Sequence, residues 1–315
     1  MNTPPRYPVI VGPTAGGKSS LSIELAQRFA TNPQKPGEIV AADAYQIYRD
    51  LHIGTAKPTI DEQQGLPHHL IDLVDLQDRF TVHDWLNLAN PLIDSLIERH
   101  TTPIVVGGTN LYIKAFLDGL FQAPEPTQTV KDQVENMSQP ERRAMLLQAD
   151  PIGADRIDGA DIRRTRRALE VYLQTGTPIT ELQNQWEQDK ATRPEAVLVG
   201  LEWPTDVINS RINQRVKGMI EQGLVEECRA IFDAGAFGDQ SREAIGYKQL
   251  IAHFEGKCTL DEAIERIKID TRRFAKNQRT WLKRLRVRPG TIWVDAVDRT
   301  AEEIAVEVIK RLQTN

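Results

Sequence analysis

The 315-residue sequence predicts an α/β fold in which a parallel sheet is flanked by helices and carries a helical insertion acting as a lid or swivel. Three observations carry this. Gly12-Pro13-Thr14-Ala15-Gly16-Gly17-Lys18-Ser19 fits G-x-x-x-x-G-K-[ST] between an apolar run and a helical pattern, the context of the phosphate-cradling loop in a P-loop NTPase-like core. Short apolar runs alternate with helix-length periodic segments, as β-α-β units require. From Pro124 to about Arg193 the strand pattern vanishes. The core is therefore expected over residues 1–123 and 194–315, and the insertion over residues 124–193.

The first strand is Tyr7-Pro8-Val9-Ile10-Val11, and Leu21, Leu25 and Phe29 recur at helical spacing over Ser20 to Ala30. Between them the glycines let backbone N–H groups curl around phosphate oxygens, while the first turn of the helix adds free donors and the positive end of its dipole. Lys18 supplies a mobile point charge, and the Ser19 hydroxyl suits a Mg²⁺ that keeps most of its waters. After a proline- and glycine-containing connection, Glu38 to Ala42 forms a second strand that ends at Asp43. The carboxyl edge of an open α/β sheet faces the ligand crevice, so Asp43 is expected across the cleft from the phosphate loop.

Asp43 to Tyr48 leads into Gly54-Thr55-Ala56-Lys57-Pro58, a loop with one more cation near the site. His68 to Leu73 reads as another strand. Adjacent histidines on a strand point to opposite faces, which argues against His68 and His69 sharing a metal. Val82 to Arg99 has the helical pattern Trp85, Leu88, Leu92, Leu96 and Ile97. Pro103 to Val106 is a third parallel-type strand, and Gly107-Gly108-Thr109-Asn110-Leu111-Tyr112 turns from it into a helix through Leu117. In nucleotide-hydrolysing proteins this strand commonly ends in an acid that holds Mg²⁺ through water. Here it ends in glycines and a threonine, which favours phosphate binding without hydrolysis.

The insertion carries helix-favouring stretches at Val130 to Met137, Glu141 to Gln148 and Asp161 to Thr175, and is expected to sit over the cleft. Its Arg163, Arg164, Arg166 and Arg167 make either a solvated helix face or a phosphate-seeking one. Ala196 to Leu201 restores a buried strand. Helices follow at Asp206 to Gln222, Leu224 to Ala234, around Arg242 to Lys248, and at Leu260 to Leu285. A last strand at Thr291 to Val294 and a helix from Ala301 complete the order.

A net charge of -5 disfavours a protein that coats nucleic acid indiscriminately, but net charge averages over local patches. From Arg266 to Arg288 ten basic residues stand against the single acid Asp270, a surface suited to phosphates. Cys228 and Cys258 lie far apart without partners at metal-site spacing, so neither a zinc ribbon nor a disulfide framework is indicated. Met1 to Arg6 lacks the apolar run of a leader, and no stretch approaches the length that spans a bilayer. A soluble, cytoplasmic enzyme is expected.

Seven stretches together resemble one family, the bacterial tRNA dimethylallyltransferases, or tRNA isopentenyltransferases. They are Gly12 to Ser19 (GPTAGGKS), Asp43 to Tyr48 (DAYQIY), Ile53 to Pro58 (IGTAKP), Gly107 to Tyr112 (GGTNLY), Arg167 to Tyr172 (RALEVY), Ala244 to Gln249 (AIGYKQ) and Thr271 to Leu282 (TRRFAKNQRTWL). The resemblance implies transfer of a dimethylallyl group from dimethylallyl diphosphate to N6 of adenine 37. That base lies in the anticodon arm of tRNAs reading codons that start with U. It also implies Mg²⁺ at Ser19 and a monomeric protein. By resemblance Asp43 is the general base, Thr109 assists near the amine or the diphosphate, and Arg242 grips the diphosphate opposite Lys18. Expected tRNA contacts are Asp43, Ala44, Tyr45, Gln46 and Thr109; Ile162, Arg163, Arg164, Thr165 and Arg166 in the insertion; Arg242, Gly246 and Tyr247; and Lys276, Gln278, Trp281 and Lys283. Asn277 departs from the pattern, standing where family members more often carry Arg within AKRQ.

Two other classes share some of these features. A small-molecule or nucleotide kinase would have the loop, the sheet and an arginine-bearing lid, but the basic stretch from Arg266 to Arg288 exceeds what one triphosphate needs. A GTPase-like switch or plain RNA-binding protein would leave Asp43 without a role. Separate titrations with tRNA and with ATP divide the three classes.

Overall fold

The computed structural model describes residues 6–30, 37–120, 124–188 and 192–314. The apolar runs form strands β1 (Tyr7–Val11), β2 (Gly37–Ala41), β3 (His68–His69), β4 (Thr102–Val106), β5 (Ala196–Glu202) and β6 (Ile292–Asp295). All pair in parallel, in the order β3-β2-β4-β1-β5-β6. After β1 the chain builds β2 and β3 on one side, returns to place β4 against β1, and then adds β5 and β6 on the other. The winding reverses at β1 and β4, and the crevice of such a sheet opens at the carboxyl ends there.

The sheet is flanked by helices α1 (Lys18–Ala30), α2 (Ile60–Gln63), α3 (Val82–Glu98) and α4 (Asn110–Asp118). The insertion contributes α5 (Gln128–Glu135), α6 (Gln139–Ala149), α7 (Pro151–Arg156), α8 (Ile162–Thr175) and α9 (Ile179–Gln188). The chain ends with α10 (Thr205–Glu221), α11 (Leu224–Asp233), α12 (Tyr247–Phe254), α13 (Leu260–Leu285) and α14 (Ala301–Thr314). All five residues of β1 are buried, as expected of a strand covered on both faces. Leu21 and Leu25 of α1 pack with Ile10, Ile39, Ile104, Val199 and Ile292 from five strands, and with Ile304 and Val308 of α14. On α3, Thr81 and Asp84 close a capping box, and the fully buried Trp85 donates its indole N–H to Ala41 O at 2.9 Å. That bond fixes the end of β2 just ahead of Asp43.

The chain divides into two compact units, residues 1–115 with 194–315, and residues 116–193. The second has its own core of Val134, Leu146, Ala168, Leu169, Val171 and Ile179, and it takes in the end of α4 ahead of Pro124. Two of its helices, α7 and α9, are not evident from periodicity, because a side chain defines them. The buried Asp150 carboxylate accepts from the Gly153 N–H at 2.8 Å and from the Thr180 hydroxyl and N–H at 2.6 and 3.1 Å, capping the first turn of both helices. The strand expected over His68 to Leu73 stops after two residues, since Leu70 (φ 61°) and Asp72 (φ 54°) turn left-handed. Asp72 instead pairs with the buried Lys57, whose ammonium also donates to Tyr48 O at 2.5 Å.

Candidate active site

The phosphate loop runs from the end of β1 into α1. Gly17 sits at φ 83°, a conformation that side chains disfavour, and turns the loop so that Lys18 begins the helix. Ala15 also lies left-handed at φ 60°. It is braced from α10: Arg211 Nε donates to Ala15 O at 2.9 Å and stacks over Trp203, whose indole N–H donates to Gly16 O at 3.1 Å. Lys18 Nζ donates to Gly12 O and Pro13 O at 3.1 and 2.9 Å. Burial, reinforced by the nearby Arg215 guanidinium, pushes the Lys18 ammonium down to about 8, with the Asp43 carboxylate acting against the shift. Burial also lowers Arg215 from its ordinary value, and Asp43 again opposes.

A cleft of about 400 Å³ opens here, lined by Ala15 to Ser20 and by Arg211, Gln214 and Arg215 of α10. Three cations, a helix N-terminus and the exposed Ser19 hydroxyl thus face one space, and none of the lining residues is acidic. Sequence reading missed the α10 wall. Its only signal is that Arg211, Gln214 and Arg215 recur at the spacing that puts them on one helix face, a pattern shared with any solvated helix.

Asp43 and Thr109 lie on the neighbouring strand ends. Gly107 is pressed against the backbone of β2's exit, where a side chain would put its Cβ 2.0 Å from Ala42 O; only glycine permits that approach. The close fit lets the Thr109 hydroxyl accept from the Ala44 N–H at 3.0 Å. Asp43 Oδ1 accepts from the N–H groups of Tyr45 and Gln46 at 2.9 and 3.3 Å. Its other oxygen is on the crevice side: Asp43 Oδ2 and Lys18 Nζ lie 4.0 and 3.9 Å from the point where a Cβ on Gly108 would be. One carboxylate oxygen is fixed by backbone donors, and the second stands near the loop's cations. Such a carboxylate can take a proton from a group held beside a bound phosphate chain.

The other expected residues fall into two sets. Ala44, Tyr45 and Gln46 are half-buried beside Asp43, with Gln46 Nε2 donating to Thr55 O and Ala56 O at 3.2 Å each. Lys276 and Lys283 are exposed on α13, and Trp281 is half-buried. In the insertion, Ile162, Arg163 and Arg164 are exposed on α8, and Arg166 pairs with Glu135. Three others face inward. Thr165 is 0% exposed and donates to Asp161 O at 2.7 Å; Tyr247 is 0% and Gln278 1% exposed. Their side chains serve as framework and are not open to contact. Tyr247 accepts from the Gly54 N–H at 3.1 Å and donates to Glu227, while Gly246 is left-handed (φ 102°) ahead of α12. Arg242 does not line the phosphate cleft. It is bound to Glu255 at 3.2 Å in a separate groove with Asp239, Lys248 and Lys257. His69 pairs with Glu38 at 2.6 Å, and among the described residues no group of His, Cys, Asp and Glu could hold a metal.

Fold and site together define a phosphate-loop α/β protein whose cleft is lined by Lys18 and Arg215, with the Asp43 carboxylate nearby. Two family models match the chain, IPP transferase over residues 46–285 and Isopentenyl transferase over residues 5–81. The chain belongs to the IPP transferase family. The tRNA dimethylallyltransferase of Anoxybacillus flavithermus is 40% identical over 304 residues, 96% of this chain and 94% of that protein. That of Geobacillus kaustophilus is 41% identical over 310 residues, with 96% and 94% covered. Among solved structures, the full-length tRNA isopentenylpyrophosphate transferase of Bacillus halodurans matches at a TM-score of 0.69 and 35% identity, covering 98% of this chain and 97% of the other. A eukaryotic dimethylallyltransferase acting on tRNA matches at 0.82 and 27% identity, covering 99% of this chain and 80% of its own.

Proposed function

We propose that this protein transfers the dimethylallyl group of dimethylallyl diphosphate to N6 of adenine 37 in the anticodon arm of tRNAs reading codons that start with U. The family supports the reaction class. The observation that carries the reading is the placement of Asp43 near Lys18 and Arg215, at a phosphate loop whose lining has no acid.

The chemistry follows from that arrangement. Backbone N–H groups of the loop, Lys18 and Arg215 bind the diphosphate and take up the charge that grows on it as the C1–O bond breaks. N6 of adenine forms the new bond to C1, and its proton passes to Asp43 Oδ2, leaving isopentenyladenosine and diphosphate. Adenine must leave its stack for this, which costs least in a loop. Ser19, with its neutral, exposed hydroxyl on the cleft, is the residue that would hold Mg²⁺ there. Bound there, Mg²⁺ would supply further neutralisation of the leaving group. Lys276 and Lys283 on α13, and Arg163 and Arg164 on α8, provide exposed cations for the RNA backbone.

No described helix is long and apolar enough to cross a membrane. With tRNA as substrate, the working compartment is the cytoplasm, and the resemblance to the family favours a monomer. The test is nucleoside analysis of tRNA incubated with the protein, Mg²⁺ and dimethylallyl diphosphate. Isopentenyladenosine at position 37 is expected; unmodified tRNA overturns the reading.

A further inference from the structure

Helix α13 has a basic outer face and a buried stripe formed by Ala275, Gln278, Leu282 and Leu285. An amide at a core position is costly unless its polar atoms are bonded, and here both are. Gln278 Oε1 accepts from the Thr14 N–H at 2.8 Å, and Nε2 donates to Gly108 O at 2.9 Å. Thr14 belongs to the phosphate loop. Gly108 precedes Thr109, whose hydroxyl holds the Ala44 N–H beside Asp43. The main-chain carbonyl of Gln278 also accepts from Asn110 Nδ2 at 3.4 Å, at the start of α4. A single side chain thus joins the helix that offers Lys276 and Lys283 to solvent, the loop that holds phosphate, and the strand end that supports the base.

We propose that Gln278 is a positioning residue that couples RNA docking on the outer face of α13 to the shape of the phosphate loop, so that RNA and diphosphate bind cooperatively. This rests on the function proposed above. A helix transmits displacement along its length, and the two bonds of one buried amide cannot both persist if α13 and the loop move independently. RNA that fixes α13 therefore fixes the Thr14 amide and the Gly108 carbonyl. By linkage, diphosphate in the loop must tighten RNA by the same factor.

Binding of inorganic pyrophosphate with Mg²⁺ is measured by calorimetry, with and without a saturating anticodon stem-loop RNA. In the unmodified chain RNA should tighten pyrophosphate about tenfold, within the usual range for coupled sites. Gln278→Met keeps the shape and removes both bonds. In that variant the ratio should fall to within about twofold, while RNA alone binds within about threefold of the unmodified chain. As a check that needs no variant, RNA alone should slow hydrogen exchange at the Thr14 amide of the unmodified chain. A full ratio in Gln278→Met, or unchanged exchange at Thr14, overturns the coupling. A chain that prenylates tRNA with a ratio near one loses this inference and keeps its function, whereas a chain that forms no prenylated nucleoside loses the function itself.

Discussion

In the proposed reaction Asp43 and Lys18 carry different halves, and each half has its own signature. Asp43→Asn keeps the acceptor geometry for Tyr45 and Gln46 but cannot take a proton, so kcat should fall by roughly 10² to 10⁴ with tRNA affinity within a few fold. Turnover near normal would remove Asp43 from the mechanism. Lys18, lowered to about 8, is charged below that pH and loses its charge as pH rises through it. Pyrophosphate affinity should therefore weaken across that range, and Lys18→Arg should abolish the inflection; a flat profile in the unmodified chain would contradict the assignment. The same shift acts on folding with the opposite sense. The unfolded chain, with an ordinary lysine value of 10.5, holds the proton that the folded chain gives up, so this group's contribution to stability rises between about 8 and 10.5. Thr109 comes from the family resemblance, whereas Asp43 and the loop are legible in sequence because each follows a strand closely. Arg215 is not, because it reaches the cleft from a helix far along the chain, and Tyr247 and Gln278 read as contact residues because burial of a polar side chain leaves no local mark.

At the scale of elements, the strands and long helices follow their periodicity closely, and α13 covers the expected Leu260 to Leu285. What periodicity does not contain are elements set by one polar side chain. Asp150 starts α7 and α9 in this way. The loop after Asp43 is held in the same way. Tyr247 on α12 bonds the Gly54 N–H, and Glu227 on α11 accepts from that hydroxyl and from the Ile53 N–H at 3.1 Å. Burial and the Glu227 carboxylate raise the Tyr247 phenol well above its ordinary value, so it stays a donor at any working pH. Tyr247→Phe keeps the ring and leaves the Gly54 N–H and the Glu227 carboxylate short of a partner, which should cost about 1 to 3 kcal/mol in urea unfolding. If Tyr247 instead served by touching RNA, stability would hold and tRNA affinity would fall.

At the scale of the whole molecule, a chain of net charge -5 concentrates cation at the phosphate cleft, on the outer face of α13 and on α8. Gln278 links the first two. The sheet order accounts for the lack of an acid at the cleft. β4 lies between β1 and β2, so the strand end facing the phosphate loop is Gly107-Gly108-Thr109, and Gly107 is required there for close approach to Ala42. An acid that could hold a metal through water or orient an attacking water has no place at that position, and the cleft lining supplies none. A diphosphate is enough to engage the loop amides, Lys18 and Arg215. Inorganic pyrophosphate should therefore compete with dimethylallyl diphosphate, while ATP should be neither required nor consumed during turnover. Lys18→Ala should abolish transfer by removing charge from the leaving group's site. The assay is product formation at saturating dimethylallyl diphosphate, with ATP and released phosphate followed in parallel. A rate that depends on ATP, or phosphate released in step with product, would return the protein to the kinases, because only a triphosphate donor would then account for the loop.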